Sequence, residues 1–198
     1  GQQEGMSFIH SSLVESISFS AGGFESQYGD KLSSVLDIKY KTPNALHGSA
    51  MVSLLGVESH FEDAPTSRFN YIIGARYRSN GYLLNSLPTK GAYNPVFADG
   101  QFLGEYQLNP KLTWSVLAHY SSNNYRFAPQ TSNTDFGTAN EAYSFRIYFD
   151  GKESTRFQTG MVGTSLNYTP NTKTKLGFFL TGFQSDEREY FDIQGQYY

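Results

Sequence analysis

The chain has 198 residues and a formal net charge of −3, with no cysteine and an aromatic content of 16% drawn from 15 Tyr, 16 Phe and 1 Trp beside 19 Gly. The charge balance and the lack of any basic stripe exclude general nucleic-acid binding. The missing cysteines exclude disulfide frameworks, thiol catalysis and Cys-based zinc sites. A mean hydropathy of −0.46, with no apolar run near the length of about 18 residues that a spanning helix needs, excludes a helical membrane protein. It leaves a strand-built one open, because a barrel presents only alternate residues to lipid.

Residues 1–12 are polar and aperiodic and receive no functional assignment. Gly1-Gln2-Gln3-Glu4-Gly5 has neither the basic start nor the apolar core of a signal peptide, so an exported protein would be represented here by a mature form or an excerpt. Val14-Glu15-Ser16-Ile17-Ser18-Phe19 reads as a strand, and Ala21-Gly22-Gly23-Phe24-Glu25-Ser26-Gln27-Tyr28-Gly29 as a Gly-rich turn. A second strand follows, with Leu32, Ser34, Leu36, Ile38 and Tyr40 on one side and Ser33, Val35, Asp37, Lys39 and Lys41 on the other, until Pro43-Asn44 breaks it. Gly22, Gly23 and Gly29 do not form a phosphate loop, since that fingerprint needs a helix behind it and a β-type run follows.

This order of strand, Gly-Gly-Phe, Tyr-Gly, Ser-Ser-Val-Leu-Asp-Ile and a Lys-Thr-Pro exit resembles the end of the plug domain of TonB-dependent outer-membrane receptors, and a weaker likeness to their first barrel strands continues to Tyr198. Many members carry an Arg after the Tyr-Gly where this chain has Asp30-Lys31. The resemblance implies an all-β architecture. An antiparallel transmembrane β-barrel portion over 44–198 follows the C-terminal part of a plug domain over 1–43, with Gly22, Gly23, Phe24, Tyr28, Gly29 and Ser33 forming the plug turn.

From His47 onward the alternation lengthens. Phe69, Tyr71, Ile73, Ala75 and Tyr77 oppose Arg68, Asn70, Gly74, Arg76 and Arg78, with Ile72 the exception. Leu112, Trp114, Val116, Ala118 and Tyr120 oppose Thr113, Ser115, His119, Ser121 and Asn123, with Leu117 the exception. Noisier strands are expected at 101–108, 143–149, 157–168, 175–183 and 189–198, and 48–61 is one long strand or two short ones. The links fall into two kinds. Those at 62–67, 109–111 and 169–172 are tight, whereas 79–99 and 123–155 are long, with 143–149 as a hairpin arm inside the second. Outer-membrane barrels show this asymmetry, short turns facing the periplasm and long loops the medium. On that reading 79–99, 123–155 and 185–188 face outward, and Tyr77, Tyr82, Tyr120, Tyr125, Tyr168 and Phe183 suit the aromatic girdles.

An eight-stranded barrel has an interior just wide enough for side chains, so a plug implies a parent nearer about 22 strands, of which this chain holds roughly the first third. The chemistry is sparse. His10, His47, His60 and His119 are scattered without a nucleophile or acid at a catalytic spacing, so no enzyme and no cofactor are expected. Glu58, His60 and Glu62, with Asp63 beside them, form a row pointing one way on a strand, which supplies ligands from a single direction; the expectation is a charged strand end and no metal. Arg68, Arg76 and Arg78 form a basic row, with Arg126 and Arg146 in or near the second long link. Two readings stand: contacts to the plug carboxylates Glu25, Asp30 and Asp37, or, for Arg76 and Arg78 with Tyr82, a ligand-facing wall. The other aromatics are expected on lipid or in the core.

What the resemblance further implies is a receptor in the outer membrane of a Gram-negative bacterium. It would bind a scarce nutrient, such as a siderophore, cobalamin, oligosaccharide or peptide, and import it with energy delivered by the TonB–ExbB–ExbD complex. Partners would be that complex, the nutrient and outer-membrane lipid, and the question of a surface lipoprotein lid stays open. The TonB box that precedes the plug in members is not among these residues, so this stretch alone is not expected to transport. Two rival expectations are a complete small outer-membrane barrel with an adhesion or structural role, and a soluble carbohydrate-binding β-sandwich.

Overall fold

The computed structural model describes residues 9–25, 28, 29, 33–82, 91–138 and 141–197. After one 3₁₀ turn at Ser11–Leu13, the strands are β1 (Val14–Ala21), β2 (Ser34–Tyr40), β3 (His47–Ser53), β4 (Gly56–Thr66), β5 (Phe69–Ser79), β6 (Gly91–Tyr93), β7 (Val96–Asn109), β8 (Leu112–Pro129), β9 (Ser132–Thr138), β10 (Glu141–Asn171) and β11 (Thr174–Tyr197). The fold is all-β and every pairing is antiparallel. β1 and β2 make a separate two-stranded sheet. The other strands make one open sheet in the order β11-β10-β8-β7-β5-β4-β3, with β6 against β8 and β9 against β10.

The first hairpin follows the sequence closely. Phe19 faces Leu36 and Ile17 faces Ile38, and the ladder is prolonged by Gly22 N–H donating to the Ser33 carbonyl at 3.2 Å. Of the turn glycines only Gly22 needs its freedom, with φ at +76°; at Gly23 and Gly29 a Cβ would meet open space. Tyr28 N–H bonds the Glu25 carbonyl, and the Tyr28 hydroxyl donates to Asp37 Oδ2 at 3.0 Å. Asp30 lies outside the described residues.

Several boundaries differ from the sequence reading. Residues 48–61 are two strands joined at Leu54-Leu55, and the expected turn at 62–67 is mostly strand, the true turn being Ser67-Arg68. β7 starts at Val96, inside the expected loop, and β8 runs on to Pro129. The arm at 143–149 exists, as the start of β10 paired with β9. Residues 185–188 are no loop at all: Ser185 to Arg188 pair with Thr159 to Arg156 in the middle of β11. Ser185, Asp186, Glu187 and Arg188 are all polar, so the ladder forms without the alternation that would announce it.

The turns at Ser67-Arg68, Pro110-Lys111 and Thr172-Lys173 fall at the same end of the sheet, as strand direction requires, while the long links fall at the other. All three use one local device. Thr66 Oγ1, Asn109 Oδ1 and Asn171 Oδ1 each accept from the backbone N–H two residues on, at 3.3, 2.9 and 3.0 Å. Leu54-Leu55 uses the same device through Ser53 Oγ, but at the opposite end.

Register divides the sheet into two chemically distinct faces. On one, Phe69, Tyr106, Trp114, Leu166 and Phe178 share a cross-strand row, as do Ile73, Phe102, Ala118 and Val162 higher up. Tyr77 and Tyr120 stand toward the far edge of this apolar zone, and Tyr168 at the near edge. Beyond Tyr120 the same face turns polar, with Ser122 and Asn124 beside Gln158 and Arg156, then Gln184, Asp186 and Arg188. The opposite face carries His60, Arg76, Asp99, Gln101 and His119. Tyr125 and Phe183 lie on that polar side, so parity removes them from the aromatic edges assigned by sequence, where Phe69, Tyr71, Tyr106 and Trp114 stand instead. The two sequence exceptions are neighbours: Ile72, Leu103 and Leu117 form one row on the polar face, and Ile72 is fully buried.

Candidate functional site

The best-built polar constellation lies on the polar face where residues 9–13 and Tyr40 rest on β4, β5 and β7. Arg76 and Asp99 are direct cross-strand partners, and their side chains form a two-pronged pair, Nε to Oδ1 at 2.8 Å and Nη2 to Oδ2 at 2.7 Å. The Asp99 side chain is fully buried and that of Arg76 is 6% exposed. A planar guanidinium meeting a carboxylate through two bonds is the geometry that best offsets the cost of removing both charges from water. Arg76 Nη1 also donates to the Ile9 carbonyl at 3.1 Å, so the pair holds the incoming chain as well as itself. Phe97, next but one to Asp99, places its ring 5.7 Å from the guanidinium carbon.

Three further contacts fix the docked segment. Ser12 Oγ donates to Glu58 Oε1 at 3.3 Å, and Glu58 also receives Arg78 Nη2 at 3.0 Å. Gln101 Nε2 donates to the Tyr40 hydroxyl at 2.9 Å, and Lys41 N–H closes onto the Leu13 carbonyl. His10 and Leu13 sit over Gly74: a Cβ there would come within 3.1 Å of both side chains, so the missing side chain is what admits them. His10 and Leu13 are completely buried.

Burial holds the His10 ring below its ordinary value near 6.5, and the positive charge of Arg76 pushes the same way. Asp99, Glu58 and the backbone of Ala75 pull weakly back.

The sequence-selected residues fall in three places. Arg76 and Arg78 are brought together on the docked face, but the carboxylates that meet them are Asp99 and Glu58, neither of which belongs to residues 1–43. Asp37 and Glu25 belong to the first hairpin and its turn, and Arg68 sits in the β4–β5 turn. Tyr82 lies just beyond β5 and is 72% exposed. Asp99, Gln101, His10, Leu13 and Tyr40 carry the docking without having been singled out; a partner for Arg76 is found only once β5 and β7 are set in register. A concavity of about 720 Å³ lies over small residues such as Gly100, Ala118, Gly160 and Gly182, with Gln101, His119 and Gln184 also in its lining.

Two outcomes are expected. Asp99→Ala leaves a buried guanidinium with one carboxylate fewer and should lower the urea midpoint of the folded protein by the equivalent of about 3–5 kcal/mol. Replacing both Arg76 and Asp99 with Leu should cost clearly less, since no charge is stranded. Acidification is the second case. Because the folded value of His10 is depressed, its contribution is complete above about pH 6.5 and is lost as pH falls through the lowered value. Tryptic cleavage at Lys39 and Lys41 should therefore rise on acidification in a pH-tolerant protease series, and His10→Leu should flatten that dependence.

No protein-family model matches this chain, and neither a curated protein nor a solved structure is significantly similar to it.

Proposed function

We propose that this chain is the plug end and the first wall strands of a TonB-dependent outer-membrane transporter. The observation that carries the reading is the two-faced sheet: an apolar band with aromatic edges on one side, and on the other a face carrying buried polar groups on which residues 9–13 and Tyr40 rest. On β8 the band runs from Leu112 to Tyr120, roughly 27 Å along the strand at about 3.4 Å per residue; tilted by about 40°, that spans about 21 Å, comparable to the apolar height of about 25 Å of outer-membrane barrels. Past Tyr120 the apolar-band face turns polar at Ser122 and Asn124 of β8 and at Gln158 and Arg156 of β10, as strands reaching beyond the lipid should. The turns at Ser67-Arg68, Pro110-Lys111 and Thr172-Lys173 share one end, which agrees with a periplasmic side there, while the short Leu54-Leu55 turn lies at the other.

Both rivals fit less well. A sandwich needs a second layer on its apolar face, whereas here the layer rests on the polar face and Ile73, Val162 and Phe178 stay exposed. An eight-stranded barrel would have to hold the 3₁₀ turn and the β1–β2 hairpin in an interior filled by side chains. The open edges at β3 and β11 require further strands, because unpaired backbone is not tolerated in lipid.

The work on this reading is differential binding to closed and displaced plug states, with no covalent step. The plug would be held shut by the contacts at Arg76, Glu58 and Gln101, and TonB, driven by ExbB and ExbD, would supply the pull that breaks them. The nutrient is one of the classes such receptors import, and Tyr82 and Arg78 remain the candidates to meet it. No catalytic role and no cofactor enter.

A charged substitution separates the two faces. Val162 is 56% exposed in the middle of the apolar band. Val162→Arg in the full-length protein should destabilise the membrane-inserted form by about 2–4 kcal/mol and deplete it from the outer membrane, while Thr159→Arg on the polar face should assemble normally. Removing the segment that ends at Pro43 should convert a closed protein into a steadily conducting one in a planar bilayer. Equal tolerance of both arginines, with no conductance after deletion, would sink the proposal.

A further inference from the structure

The expectation of a one-sided row at Glu58, His60 and Glu62 changes once register is known. β3 lies against β4 with His47 directly opposite Glu62 and Ser49 directly opposite His60. Asp63 points to the other face, but His47 brings a second imidazole to the same side as His60 and Glu62. One donor atom from each of His47, His60 and Glu62 lies within 4.8 Å of the other two. His47 Nδ1 is 3.8 Å from Glu62 Oε1, His60 Nε2 is 3.8 Å from Glu62 Oε2, and the two rings are 5.6 Å apart.

A second observation points into the same space. His60 Nε2 and Glu62 Oε2 are buried and have no hydrogen-bond partner, and the His60 side chain is only 5% exposed. A buried polar atom left unpaired is costly, and two of them facing each other at 3.8 Å, beyond hydrogen-bond reach, leave a gap that a bridging ion would fill. The other nitrogen of His60 is held: Nδ1 lies 2.7 Å from Ser49 Oγ, an arrangement that fixes the ring with Nε2 turned to the carboxylate. Ligating histidines are oriented in this way by a partner on the second nitrogen.

We propose that His47, His60 and Glu62 bind a divalent transition-metal ion of the zinc class, with the fourth position open. Two imidazoles and a carboxylate are a donor set that suits zinc. Bonds of about 2.1 Å place tetrahedral ligands about 3.4 Å apart, so the triad contracts slightly on binding. That movement falls on His47, whose side chain is 64% exposed. Access comes through a groove of about 480 Å³ between Lys41, Thr42, Pro43, Asn44 and Glu62. The site therefore ties the first wall hairpin to the exit of the docked segment. Lys41 acts against it, since its charge is felt at His60. The inference stands independently of the transporter reading, because its three ligands all lie on β3 and β4.

The test uses tag-free full-length protein in detergent, titrated calorimetrically with Zn²⁺ and followed spectroscopically with Co²⁺. One ion per chain should bind, with the visible absorption of four-coordinate cobalt. His47→Ala and Glu62→Gln should weaken zinc affinity at least 100-fold, Ser49→Ala about 10-fold through the lost orientation of His60, and Lys41→Gln should strengthen it. His119→Ala, on the same face but outside the triad, should change nothing. His47 is exposed, so its variant folds and decides the matter even if changes at His60 do not. No uptake at millimolar zinc, or uptake that His47→Ala and Glu62→Gln leave unaltered, would overturn the proposal.

Discussion

A slip of one residue along β4 to β11 would turn Arg76, Asp99, Gln101 and His119 toward the side now held by Ile73, Phe102, Ala118 and Val162, and every property of this sheet would be exchanged between its faces. The register is held by local features at each hairpin. Asn109, Asn171 and Thr66 close two-residue turns with their own side chains, which sets the first ladder pair and therefore every later one. Packing adds to this. The aromatic rings of Phe69 and Tyr71 stack at 5.6 Å, and Phe69 meets Tyr106 across the strands.

Once the faces are fixed, the docked segment has one place to go. Gly74 removes a side chain where His10 and Leu13 must lie, and the row of Ile72, Leu103 and Leu117 puts an apolar strip on an otherwise polar surface. Arg76 then joins both parts, since one guanidinium serves Asp99 on the neighbouring strand and the carbonyl of Ile9. Such a junction is strong while dry and weak once wet, because its bonds depend on burial. An interface of this kind holds firmly at rest and gives way when water is let in, which suits the plug displacement proposed above.

The alternation over 69–77 and 112–120 was legible because only one side of those strands is apolar, and the Gly-rich hairpin because its residues demand a turn. Three things were not legible, each for a physical reason. The upper halves of β8, β10 and β11 mix polar residues with scattered aromatics such as Phe157, Tyr190 and Phe191, without strict alternation, so Ser185 to Arg188 look like a loop although they sit in a ladder. Ile72 and Leu117 look like noise along the chain and become a row only across it. The partners of Arg76 and of Glu62, Asp99 and His47 respectively, are strand neighbours separated in sequence, and pairing of that kind is a property of register rather than of spacing.

The central claim is that these strands belong to a larger plugged barrel in an outer membrane. It is tested most directly by raising an antibody against this stretch and measuring the membrane fraction and mass of the native protein it detects. The account predicts an outer-membrane band several times the 22.2 kDa of this chain. A band near 22.2 kDa, or one in the soluble fraction, would contradict it, since a barrel of that size has no room inside for a plug.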